Sequence, residues 1–196
     1  MEFGKKIGWA RGGLLVSAVL LAIVGVLYLV AGDIMPHALH NPAMPVDNAN
    51  YHMPVGTWII AAAMAVAGVC QLAAFKMAGG SRELGGWIVM SGIMALVWAL
   101  SAVIDPWVGT FSFEWVDAIY LAFMGLCVAI AAFFSARTLG YKGWIIDLAL
   151  GLALVVLCLG IVLNSANAHA LTGIGFIVYA VVVALIPVLG KDLKVA

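Results

Sequence analysis

Six long apolar runs, separated by short polar segments, set the pattern of this chain. They fall at about 12–32, 55–76, 84–104, 115–136, 143–163 and 170–189. Each is close to the roughly 20 residues that an α-helix needs to cross a bilayer core. The pattern predicts an all-α polytopic membrane protein, with residues 1–196 as a single six-helix membrane domain. The first run, behind Lys5, Lys6 and Arg11, has the outline of a signal peptide. Its apolar stretch exceeds the 7–15 residues typical of a signal core, and it takes part in an internal repeat, so it is expected to remain as a span.

Composition agrees with the pattern. Hydrophobic residues make up 66% of the 196 positions and charged residues 9%, against about 45–50% and about 25% in soluble domains. Cys70, Cys127 and Cys158 all fall inside predicted spans and are widely separated, which gives neither a disulfide framework nor a CxxC motif. They read as small packing residues.

Charge sets the expected orientation. All nine Lys and Arg fall on one side of the six-span arrangement: Lys5, Lys6, Arg11, Lys76, Arg82, Arg137, Lys142, Lys191 and Lys194. Short loops rich in Lys and Arg stay in the cytoplasm, so both termini are expected there, in a bacterial cytoplasmic membrane. The opposite face then carries Asp33, Asp47, Asp105, Glu114 and Asp117, with His37, His40, His52 and His169. Trp58, Trp107, Phe111, Phe113 and Trp115 form the aromatic belt expected on that side.

The chain also resembles itself. Gly-Trp opens each odd span, at Gly8-Trp9, Gly86-Trp87 and Gly143-Trp144, where the Trp is expected to anchor at the headgroup level. Even spans echo one another in "GVCQLAAF" at 68–75 and "GLCVAIAAF" at 125–133, and odd spans are expected to end at polar turns: Gly32-Asp33, Asp105-Pro106 and Asn164-Ser165. Three tandem helical hairpins, at about 8–80, 81–140 and 141–196, follow as the simplest reading. Parallel repeats of this kind are related by an axis along the membrane normal, here a pseudo-threefold repeat. Small residues at Gly8/Gly12, Ala61/Ala65 and Gly125/Ala129 suit helix packing, within one chain or in a homo-oligomer.

"GWIVMSGIMALVWALSAVIDP" at 86–106, "GLCVAIAAFFSA" at 125–136 and "GWIIDLALGLALVVLCLGIVL" at 143–163 resemble the HdeD family of bacterial acid-resistance membrane proteins. The resemblance covers nearly the whole chain and implies a cytoplasmic-membrane protein linked to survival at low pH. It brings no catalytic residues. The external loop at 33–54 is longer than the compact hairpin turns of that pattern.

The chemistry candidates are few. The loop "DIMPHALHNPAMPVDNANYHMP", residues 33–54, holds His37, His40 and His52 beside Met35, Met44 and Met53. Its first reading is a polar flap over the bundle, shaped by Pro36, Pro42, Pro45 and Pro54. A second is proton sensing by His37, His40, His52 and His169, since histidine changes charge near pH 6.5. A third is metal capture by His37, His40 and His52, where imidazole with thioether suits copper. Within the spans, Asp147 and Gln71 are the polar candidates: Asp147 sits near the cytoplasmic boundary within reach of Lys142 or Arg137, and Gln71 suits hydrogen bonding between helices. Asp33, Asp105, Glu114 and Asp117 are expected at external span ends, solvated or capping helices.

No HExxH, GxSxG or Walker A motif is present. The expectation is a non-enzymatic, HdeD-like stress-response membrane protein that senses or tolerates external acid, with the lipid bilayer as its partner, no cofactor and no nucleic acid. The alternatives are a small transporter or channel using Asp147 or Gln71, and an external metal-binding protein.

Overall fold

The computed structural model describes residues 2–31, 55–77, 82–108, 113–136, 143–164 and 167–189. In hydrocarbon every backbone N–H and C=O must be satisfied inside its own segment, so each apolar run forms a helix. The helices are α1 (Glu2–Val30), α2 (Val55–Met77), α3 (Arg82–Val108), α4 (Phe113–Ala131), α5 (Trp144–Leu163) and α6 (Ala168–Leu189). A π-helical turn, Ala132–Ala136, continues α4. All six are long and apolar enough to cross a membrane, and their spans begin and end within two residues of the limits expected from sequence. Among the described residues there is no strand.

One expected turn is helical instead. The polar turn at Asp105-Pro106 lies inside α3, which continues to Val108. A proline in the last turn removes one backbone donor near an end whose bonds are already thinning, so it need not stop the helix. Pro187 is accommodated in the same way within α6. The turn expected at Asn164 is present: Asn164 caps α5, its N–H bonded to Gly160 O at 3.0 Å.

The helices close into a ring in chain order, with α1 packed against α6. Gly13, early in α1, lies against Cys70 and Ala74, late in α2, so this pair is antiparallel. Gly25, late in α1, meets Gly173, early in α6, which returns the end of α6 to the level of the start of α1. Over half of the α6 span is buried, 56%, against 22% for α5. Thus α6 is the most buried of the six spans and α5 the least.

The closest approaches use glycine. Gly25 faces Gly173, Gly68 faces Gly92, and Gly125 faces Gly151, so an even helix crosses an odd one at each pair. A Cβ on Gly25, Gly68 or Gly125 would stand 2.6, 2.7 or 2.6 Å from the facing carbonyl oxygen. Backbones this close gain dispersion contacts along the crossing, which is a main source of helix association in lipid.

Candidate functional site

The inward face of α6 presents Phe176, Tyr179 and Val183, all buried. Around the first two stands a column of polar and aromatic side chains running along the bundle interior. Its first part is built on Asp117, in the first turns of α4 and only 1% exposed. Trp98 of α3 donates its indole Nε1–H to Asp117 Oδ1 at 2.8 Å, and the Tyr28 hydroxyl of α1 donates to the same oxygen at 3.4 Å. The carboxylate therefore draws three helices together.

Aromatic rings fill the space beside it. Phe176 stacks on Tyr28 and on Tyr120, with centroids 5.7 and 5.6 Å apart, and Trp98 meets it edge-on at 6.0 Å. Such pairs contribute about 0.5–1.5 kcal/mol each beyond their buried area. Tyr120 is also edge-on to Tyr179 at 6.2 Å, which carries the column on to its second part.

That second part is a hydrogen-bonded chain. Gln71 Nε2 donates to Ser17 Oγ at 2.8 Å, Ser91 Oγ donates to Gln71 Oε1 at 2.5 Å, and the Ser91 and Tyr179 hydroxyls are hydrogen-bonded. Serine has one hydroxyl proton. Because Ser91 gives it to Gln71, Tyr179 must be the donor to Ser91. The chain thus runs one way, Tyr179 to Ser91 to Gln71 to Ser17, and spans α6, α3, α2 and α1. Two other buried hydroxyls, on Thr57 and Tyr120, have no hydrogen-bond partner among the described residues.

Of the residues chosen from sequence, Gln71 stands in this column, bonded between helices as expected. Asp147 stands in the first turn of α5, near the end of the span, and is 5% exposed, on the buried face of α5 with Gly151, Leu154 and Ile161. Its N–H closes the first helical bond, to Gly143 O at 3.0 Å. Since α5 begins where α4 ends, Asp147 and Asp117 occupy opposite ends of the bundle. His169 is half-buried in the first turn of α6, at the Asp117 end. His37, His40 and His52, with the rest of the 33–54 flap, lie outside the described residues, as do Lys142 and Arg137. Among the described residues no three His, Cys, Asp or Glu side chains come together as metal ligands.

Two expectations are corrected. Asp117 is neither solvated nor a helix cap, because α4 turns it inward on the same face as Tyr120, Leu121 and Met124. Trp87, expected as a headgroup anchor, is 8% exposed and packs into the core. Trp58 and Trp115 are exposed, as belt residues should be. The column's other members, Tyr28, Trp98, Tyr120, Phe176 and Tyr179, were not singled out by sequence reasoning. A usable signal existed: a tyrosine or tryptophan deep in a span needs a partner for its O–H or N–H.

Compared with known proteins, the chain matches no family model, no curated protein and no solved structure. The HdeD resemblance therefore rests on the glycine and apolar patterns of the sequence alone.

Proposed function

We propose that this is a non-enzymatic stress-response protein of the bacterial cytoplasmic membrane, HdeD-like, in which Asp117 carries external acidity into the helix bundle. The carrying observation is the burial of that carboxylate against two donors on other helices, Trp98 and Tyr28. The segregation of Lys and Arg supports an orientation with both termini cytoplasmic, in which Asp117 lies toward the external side. An ionised carboxylate is a stronger acceptor than a protonated one. Protonation of Asp117 loosens α3 and α1 from α4, and the titratable side chain bonded to it from another helix is Tyr28.

The three glycine crossings, each between an even and an odd helix, support the reading of three tandem hairpins about a pseudo-threefold axis. The Tyr179–Ser91–Gln71–Ser17 chain favours a second reading, a small transporter or channel, because it places hydrogen-bonding groups deep in the membrane.

The test is tryptophan emission of reconstituted protein at neutral and acidic external pH. The wild type should shift as the charge beside the Trp98 indole is neutralised, and Asp117→Asn should not. A shift that survives in Asp117→Asn but disappears when His37, His40, His52 and His169 are replaced together transfers the sensing to the histidines. No shift in the wild type defeats acid sensing altogether.

A further inference from the structure

The close-packed glycines of α3 and α4 face away from the junction between these two helices. In α3, Gly92 faces α2; in α4, Gly125 faces α5. The α3–α4 junction is left to larger side chains, which hold the two helices apart. Between them lies a partly open groove of about 200 Å³, walled by Met94, Trp98 and Ser101 of α3 and by Val116, Ile119 and Tyr120 of α4.

The chemistry of the groove selects its occupant. Its surface is almost wholly hydrocarbon and aromatic, and the Trp98 N–H is committed to Asp117. Its rim includes Val97 and Ile119, both exposed and continuous with the apolar surface that the six spans turn to lipid. From Met94 to Ser101 it runs ~10 Å along α3 at the helical rise of 1.5 Å per residue. A helix with its side chains is about 10–12 Å across and cannot enter such a slot. An apolar cavity of about 150 Å³ already holds a benzene ring, so this volume takes a slim hydrocarbon. We propose that the α3–α4 groove is a specific lipid site, holding one acyl chain of a bilayer phospholipid against Trp98 with the headgroup toward the Trp115 end. The site is independent of the acid-sensing reading, although Trp98 is shared by both.

The test uses the full-length protein in liposomes containing a trace of phospholipid with a photoreactive diazirine in its acyl chain. After illumination, labelled residues are located by peptide mass spectrometry. Met94 and Ile119 should carry several-fold more label than Val69 and Val156, which are as exposed as Ile119 or more so but lie outside the groove. Excess unlabelled phospholipid should reduce the groove label saturably, and Ser101→Phe, which fills the groove, should remove the excess. Should Ser101→Phe fail to fold, the comparison within the wild type and the competition still decide. Label that follows exposure alone, equal at Ile119 and Val69, means annular lipid only and overturns the site.

Discussion

Gly125→Ala offers the sharpest measurement of how these helices are held. The added Cβ would stand 2.6 Å from Gly151 O and 2.8 Å from Leu154 Cβ, whereas ordinary contact begins at 3.4 Å. Neither obstacle is the far end of a flexible chain, so α4 and α5 must separate by several tenths of an ångström along the crossing. A radial gap of about 0.5–1 Å forfeits a quarter to a half of each dispersion well, and overpacking of this kind costs about 1–3 kcal/mol. Alanine also has the better helix propensity by about 0.8–1.0 kcal/mol, which would obscure the result in isolation. Gly12→Ala supplies the control, because it too lies within a span and nothing stands within 4 Å of its Cβ. Propensity cancels in the comparison, leaving Gly125→Ala less stable than Gly12→Ala by about 1–3 kcal/mol. Steric trapping in bicelles reads the unfolding free energy of both variants. Equal stabilities would refute the backbone contact, and with it the account of how α4 meets α5.

The polar column gives further expectations. Gln71→Leu removes two interhelical bonds, each worth about 0.6 and at most about 1.7 kcal/mol in membrane proteins, so it should destabilise by about 1–2 kcal/mol in the same assay. Asp117→Leu strands the Trp98 N–H and the Tyr28 hydroxyl, whereas Asp117→Asn keeps an acceptor oxygen; the Leu variant should be the less stable by about 1–3 kcal/mol. Trp87→Phe should leave the fraction of emission quenched by brominated lipid unchanged or higher, and Trp58→Phe should lower it, since only Trp58 of the two is exposed.

The six helices were legible because the bilayer leaves the backbone no choice: a run of about 20 apolar residues can only be a helix. What faces inward was not legible, because core and lipid accept the same side chains. In α1, Leu21 and Val24 are buried while Val19 and Ile23 are exposed, and no change of residue type marks the boundary. Polar residues escape that ambiguity, which is why Gln71 could be assigned to a helix interface in advance. Asp117 misled because a carboxylate near a span end has an adequate explanation in water, and only the position of Tyr120 one turn further on the same face argues otherwise. Trp87 misled for a similar reason: tryptophan near a span end suits a headgroup, and the sequence does not state which way its face turns.

The column also bears on the choice between sensing and transport. A proton wire needs each link to accept a proton and release one through interchangeable sites, as hydroxyls do. Gln71 accepts through Oε1 and donates through Nε2, so passing a proton across it would require the amide to become an imidic acid. The chain from Tyr179 is therefore blocked at its third member, although its geometry ties four helices together. Asp117, by contrast, can gain a proton without passing it on, and its two donors answer directly by losing a charged acceptor. On these grounds we assign Gln71 to holding the bundle, and the proposed acid response to Asp117. Proton flux into sealed vesicles decides the matter: the expected wild-type flux equals that of empty vesicles, and a flux that Gln71→Leu abolishes would reverse the two roles and bring the transport reading to the front.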